Sequence, residues 1–274
     1  MVKKKYIKGE QSIMVKKVLI GLIVVLTLVT CGKKPPQQEA TVITDARFFP
    51  VPEFADLFAS LDYIQRADFD RVISDTYKTD ITNVYTAAFY LGNLTADAIV
   101  ATKARNKSKL TAIAMTMIDY SRMIGINQEV LMLADELLTL LQEDKWDELL
   151  VALDDYKIQV ELALYVSRQI DLMTLVQAGG WTEGIYIMTR LILQDFNISY
   201  TAVLNQKGII DNLVNNLAQM ENQELYELDW FKNLVVSFNR IHSIINVPEK
   251  GMFSFDEVRA LHTTAFEIKA GFGF

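Results

Sequence analysis

From Glu53 to Val247 the chain contains no proline: Pro35, Pro36, Pro50 and Pro52 precede that interval and Pro248 follows it. Only six glycines fall inside it. Proline removes a backbone donor and clashes with the preceding helical turn, so a stretch of this length without it favours helix. The apolar residues agree. Phe231, Leu234, Val235, Phe238, Ile241 and Ile245 recur at three- and four-residue steps, as do Leu131, Ala134, Leu137, Leu138 and Leu141, the spacing of an amphipathic helical face.

The punctuation predicts helices over 53–66, 68–76, 80–105, 107–124, 127–142, 145–178, 181–205, 207–220, 223–246 and 254–270. Gly125 reads as a C-cap and Asn127 as the next N-cap, and Asn106 separates two helices. Asp144 precedes a helix opened by the acidic pair Asp147 and Glu148. Gly179-Gly180 is expected to break the longest pattern in two. Pro248 ends the penultimate helix, and Ser254 with Glu257 makes a capping box for the last. Between Ile185 and Val203 β-branched and aromatic residues would also suit a strand, but the polar positions Arg190, Gln194 and Asn197 are spaced four and three apart, which argues for helix. Short connections favour antiparallel neighbours. The expected fold is therefore all-α: an antiparallel multi-helix bundle of helical hairpins around two very apolar central helices, 145–178 and 181–205. No repeat at 34 or 40 residues argues for a solenoid.

Ahead of this lies a segment of different character. Lys16-Lys17 leads into an apolar run from Val18 to Val29 of about 12 residues, well short of the ~20 that span a bilayer. Leu28-Val29-Thr30-Cys31 closes it with the only cysteine. Met14, followed by Val15-Lys16-Lys17, has the layout of a start, which would make the first thirteen residues an upstream extension or, otherwise, a long basic n-region. The closing residues resemble the lipobox of bacterial lipoproteins, with Thr30 in place of the usual glycine, alanine or serine. The resemblance implies that 1–30 is a signal peptide, that Cys31 becomes the first mature residue and carries a lipid, and that the chain is anchored at the extracytoplasmic face of a bacterial envelope. Gly32 after the cysteine implies the inner face of the outer membrane where sorting resembles that of enteric bacteria. Residues 31–50 then form the lipidated cysteine and a polar, proline-bearing tether. Residues 51–274 form a single all-helical domain. Acylation would consume the thiol, leaving no disulfide, thiol catalysis or cysteine metal site.

Charge narrows the partners. Residues 1–30 hold six lysines and one glutamate of the 27 basic and 34 acidic side chains, so the remainder has a net charge of about −12. Such a domain lacks the basic stripe that nucleic-acid binding requires and is repelled by anionic lipid. The expected partners are the membrane, through the lipid on Cys31, and an envelope protein or a small ligand.

Motifs for chemistry are sparse. Neither His242 nor His262 follows a glutamate at three residues, so a di-metal Glu-x-x-His bundle is not encoded. No zinc-protease, nucleophile-elbow or phosphate-loop pattern occurs. No metal or cofactor is expected, and no catalytic residue is assigned. Within Phe89–Asp97, Gly92 and Ala96 make a smooth patch where another helix can approach closely. Asn93 and Asp97, also four apart, point together from the adjoining strip. One possibility is a polar pocket in the bundle core with Asp97 holding a cationic or hydroxylated ligand; the other is a packing patch whose polar strip is solvated or tied to an arginine. Lys157, Glu161, Arg168 and Asp171 form a second strip, which would join a buried network if it faced Asp97 or Arg190. Trp181 is either a lid that stacks on a ligand or the cover of a core end. The candidate pocket therefore comprises Asn93, Asp97, Glu161, Arg168, Trp181 and Arg190.

The expected role is non-enzymatic: binding or scaffolding in the envelope, or a small-ligand or sensory bundle built around Asp97, with an enzyme using buried carboxylates in last place. Replacing Cys31 with serine is expected to release the protein from membranes and abolish lipid labelling; unchanged attachment would defeat the anchor.

Overall fold

A computed structural model describes residues 68–74, 77–246 and 251–273. Cys31, the tether, the predicted helix over 53–66 and Pro248 lie outside them. Eight α-helices follow in order among the described residues: α1 (Val84–Lys103), α2 (Lys107–Met123), α3 (Gln128–Gln142), α4 (Trp146–Val166), α5 (Ile170–Gln194), α6 (Lys207–Ala218), α7 (Asp229–Ile245) and α8 (Phe255–Gly271). The fold class is all-α, a bundle of helical hairpins. None of these helices is long and apolar enough to cross a membrane.

Helices α1 to α4 end in the same way. The residue after each C-cap is left-handed: Arg105 (φ 52°), Gly125 (φ 82°), Asp144 (φ 57°) and Arg168 (φ 60°). The next backbone N–H then reaches back five residues, from Asn106 to Ala101 (2.9 Å), Ile126 to Ser121 (2.9 Å), Lys145 to Leu140 (3.0 Å) and Gln169 to Leu164 (2.8 Å). This pairing satisfies carbonyls that the helix end would otherwise leave open, and it reverses the chain within three or four residues. Asparagine restarts two of the helices: Asn106 accepts from the N–H of Lys109 at 3.0 Å and Asn127 from that of Val130 at 3.1 Å. The predicted capping box of Ser254 and Glu257 opens α8.

One predicted boundary is displaced, and the displacement reorganises the core. The expected helices 145–178 and 181–205 are α4 and α5, divided at Ser167-Arg168-Gln169 instead of at Gly179-Gly180. Both glycines sit inside α5, where the backbone of α1 comes so close that Gly179 has no room for a side chain. A Cβ on Gly179 would fall 1.9 Å from the Phe89 carbonyl oxygen, and one on Gly92 would fall 1.9 Å from the Val176 carbonyl oxygen. The central pair is thus α1 and α5. Every residue from Ala87 to Thr102 and from Leu172 to Ile185 is buried, whereas α4 buries one face only.

The remaining helices surround this pair. α1 packs on α2, α4 and α5; α5 packs in addition on α4, α6 and α8; α7 bridges α6 and α8. The predicted face of α7 points inward, with Phe231, Leu234, Phe238, Ile241 and Ile245 buried. Two other predicted helices are cut short. Of the predicted helix 68–76, the described residues 68–74 hold only a 3-10 turn at Phe69–Arg71, and the stretch after α5 is a 3-10 segment, Ile198–Leu204, capped by Asn197. A third, 223–246, begins as the 3-10 segment Gln223–Glu227 before α7.

Gly179→Ala is expected to lower stability by at least ~2 kcal/mol, since the added methyl meets backbone and can be relieved only by separating the central helices. Chemical denaturation measures it; a loss below ~0.5 kcal/mol would mean that the helices do not touch there.

Candidate ligand-binding site

The close approach of α1 and α5 brings polar side chains into the interior. The Asn93 amide nitrogen donates to the carbonyl oxygens of Phe89 (3.2 Å) and Gly179 (2.9 Å). Two carbonyl acceptors fix which end of the amide is which, because only the NH2 end can donate. The Asn93 Oδ1 is therefore turned away from both, and it has no protein partner. One turn further along α1 stands Asp97, and one turn beyond Gly179 on α5 stands Glu183. Asp97 is 3% exposed and Glu183 not at all. Lys269 enters from α8, itself 8% exposed; its ammonium pairs with Glu183 Oε2 and lies 4.7 Å from the centroid of the Tyr186 ring.

These groups line the end of a cavity of about 610 Å³. Tyr90, Tyr186 and Arg190 form its walls with Phe266 of α8, and the segment before α1 lines its rim with Asp70, Arg71, Ser74, Tyr77 and Lys78. That segment is held in place by main-chain contacts: the Lys78 N–H donates to the Tyr90 hydroxyl (2.7 Å), and the Lys78 carbonyl accepts from the Tyr120 hydroxyl (2.6 Å). The Lys78 ammonium donates to the Phe272 carbonyl (3.3 Å). Phe272 folds back onto the bundle and stacks on Phe89 with the ring centroids 3.9 Å apart.

Burial dominates the electrostatics. It pushes the Asp97 carboxyl well above the ordinary value of 3.8, and the Glu183 charge pushes it further; Lys269 and the Ser74 hydroxyl oppose this without cancelling it. Burial works against the Lys269 cation too, but Glu183 and Asp97 outweigh it and hold its pKa above the ordinary lysine value. The buried end thus holds a Lys269–Glu183 ion pair beside Asp97, whose carboxyl burial biases towards its protonated form. Three oxygens there have no hydrogen-bond partner: Asn93 Oδ1, Asp97 Oδ1 and Glu183 Oε1.

Of the six residues proposed from sequence, Asn93, Asp97 and Arg190 line this cavity and the other three do not. Glu161 belongs to a separate pair, 3.2 Å from Lys157, and accepts from the Gln177 amide at 3.1 Å. Arg168 is exposed, because it occupies the left-handed turn between α4 and α5. Asp171, of the same predicted strip, accepts from the backbone N–H groups of Glu221 (3.0 Å) and Asn222 (2.8 Å). Trp181 is neither a lid nor an end cover: it is fully buried in the middle of α5, with its ring 5.7 Å from that of Phe238. Neither histidine lines the cavity; His242 pairs with Asp211 at 2.8 Å, and His262 stacks on the outer side of the site against Tyr186 at 4.9 Å.

Glu183 and Lys269 were missed from sequence. Glu183 had a readable signal, since it and Arg190 are the only charged residues between Leu172 and Gln194. Lys269 had none, lying among the ordinary charges of the last helix. No group of three or more His, Cys, Asp or Glu side chains able to hold a metal ion occurs among the described residues.

The class this defines is an all-helical bundle with a buried, partly unsatisfied ionic cluster facing a cavity. No protein-family model, no curated protein and no solved structure matches the chain.

The raised Asp97 pKa makes stability depend on pH. Above about pH 4 the unfolded chain loses this proton while the folded protein keeps it. The folded state then binds more protons, and stability falls as pH rises towards the folded-state pKa, by at most ~1.4 kcal/mol per pH unit for one proton. Asp97→Asn is expected to remove this component, so its stability relative to wild type should grow between pH 4 and pH 7 in urea unfolding. A difference that stays constant across that range would mean that Asp97 titrates normally.

Proposed function

We propose that the protein is a non-enzymatic binding protein whose cavity receives a small polar ligand through Asn93, Asp97 and Glu183. A single observation carries this reading: three buried oxygens on two different helices lack hydrogen-bond partners, and all three belong to residues that line the same cavity. An unpaired buried acceptor costs roughly 1–3 kcal/mol, and native interiors hold few of them. A ligand that donates hydrogen bonds would satisfy all three. The cavity volume also falls in the ~300–1,000 Å³ range of small-molecule sites.

The lipid anchor on Cys31 is proposed alongside, on the layout of residues 16–31. It would hold the domain at the extracytoplasmic face of a bacterial envelope, with the tether and the acidic surface keeping the bundle clear of anionic lipid. A scaffolding role, in which the ionic cluster is purely structural, is the other outcome of the test.

The test is native mass spectrometry of the full chain, extracted in detergent from the membranes of its own host. A reproducible additional mass on wild type, absent from Asp97→Asn, is expected. A bare protein mass in repeated preparations would overturn ligand binding and favour the scaffold.

A further inference from the structure

We infer that the cavity is built for a small zwitterion, with an ammonium group at its buried end and an anionic group, carboxylate or phosphate, at its mouth. The inference rests on the cavity being a ligand site and adds the class of ligand. At the buried end every unpartnered polar atom is an acceptor: Asn93 Oδ1, Asp97 Oδ1 and Glu183 Oε1. Asn93 is 2% exposed, and its amide nitrogen is committed to two backbone carbonyls, so its oxygen cannot be exchanged for a donor. An ammonium group carries three N–H donors and no acceptor, which matches this end in number and in kind.

Charge balance leads to the same ligand. Two carboxyl groups share the buried end with one ammonium, that of Lys269, which Glu183 already holds. Asp97 is left to carry a proton or to receive a second cation. A hydroxylated neutral ligand would satisfy the hydrogen bonds but leave Asp97 protonated. An ammonium would let it ionise.

The mouth has the opposite character. Arg190 stands two turns beyond Glu183 on α5 and is half-buried in the cavity wall, and among the described residues no carboxylate pairs with it. Lys78 and Arg71 line the rim as well: Arg71 pairs with Asp68 at 3.0 Å, the Lys78 ammonium donates to the Phe272 carbonyl, and Asp70 accepts from the Asn106 amide. Tyr90, Tyr186 and Phe266 lie along the walls, suited to a short methylene chain between the two charges. An acid-rich end and a base-rich mouth in one cavity select against a plain amine and a plain acid alike.

The experiment is isothermal titration of the full chain in detergent with the ω-amino acids from 3-aminopropanoate to 6-aminohexanoate, and with the alkylamine and the carboxylate of each length. At least one ω-amino acid is expected to bind about tenfold or more tightly than both matched single-charge compounds. Arg190→Gln should bring that amino acid to within about threefold of the matched amine, leaving the amine unchanged. Asp97→Asn should weaken both by about tenfold or more, the scale of losing one partner of a buried charge pair. At pH 6, titration in two buffers of different ionisation enthalpy should show up to one proton released per amine bound, as Asp97 ionises among the groups that face it: Glu183 of α5, Lys269 of α8 and Lys109 of α2. Circular dichroism confirms that the variants are folded, and Arg190→Gln, on the cavity wall, tests the mouth without disturbing the core. An amine or a carboxylate that binds as well as the zwitterion would overturn the inference and leave a ligand site standing. Binding by none of the compounds would also overturn it, and the native mass would then decide separately whether the cavity is a ligand site.

Discussion

At Gly92 and Gly179 the backbones of α1 and α5 come into direct contact. Gly92 faces the Val176 carbonyl and Gly179 faces the Phe89 carbonyl, each so close that one added methyl would collide. Two helices in backbone contact cannot turn a face outward over the turns on either side, and both are buried all round. Any polar residue within those turns must then find a partner inside the protein. Asn93 does so with its amide nitrogen, which links the two backbones, and Asp97 and Glu183 are carried inward one turn later. The ionic cluster is thus a consequence of the helix crossing, and so is the cavity it faces.

Completion of the cluster depends on the far end of the chain. Glu183 is fully buried, and without Lys269 it would be an uncompensated charge, a defect that costs roughly 3–5 kcal/mol. Lys269 arrives only when α8 docks. The same docking sets Phe272 on Phe89 and brings its carbonyl to the Lys78 ammonium. The segment before α1, the central helix pair and the last helix therefore close together around one small volume. Burial of the charge couples elements that lie far apart in sequence.

The elements best legible in the sequence are those whose signals are local. The proline-free interval, the Asn106 and Asn127 caps, Gly125 and the Ser254–Glu257 box place α2, α3 and α8 to within a residue or two, because each signal acts on the backbone beside it. Arg105, Asp144 and Arg168 occupy the same left-handed turn as Gly125 at a cost of about 1–2 kcal/mol each, and nothing in an arginine or an aspartate announces it. That is why the turn at Arg168 was invisible. The glycine pair eleven residues later reads as a break in the sequence for the complementary reason: glycine signals either a turn or a close approach, and only the partner helix decides which. The site follows the same division. Asn93 and Asp97 declare themselves by being polar beside Gly92 on an apolar helix, whereas Lys269 is recognisable only once α8 has been packed against α5.

A buried ion pair beside a buried carboxyl group is a poor way to stabilise a core. Apolar side chains of similar volume are often as stabilising or more so, and a bundle this rich in buried leucine, isoleucine and alanine had no shortage of them. Nor is the cluster internally complete, as a purely structural network would be: Asn93, Asp97 and Glu183 each keep one oxygen unpaired, and all three residues line one cavity. A network that only fixed helix register would gain by saturating those acceptors, since a half-satisfied polar core is costlier than an apolar one. The unpaired oxygens are offset by nothing within the described residues, and a ligand bearing donors is the partner that would offset them. The direction of the imbalance, acceptors and negative charge within and cations at the rim, then specifies the polarity of that ligand.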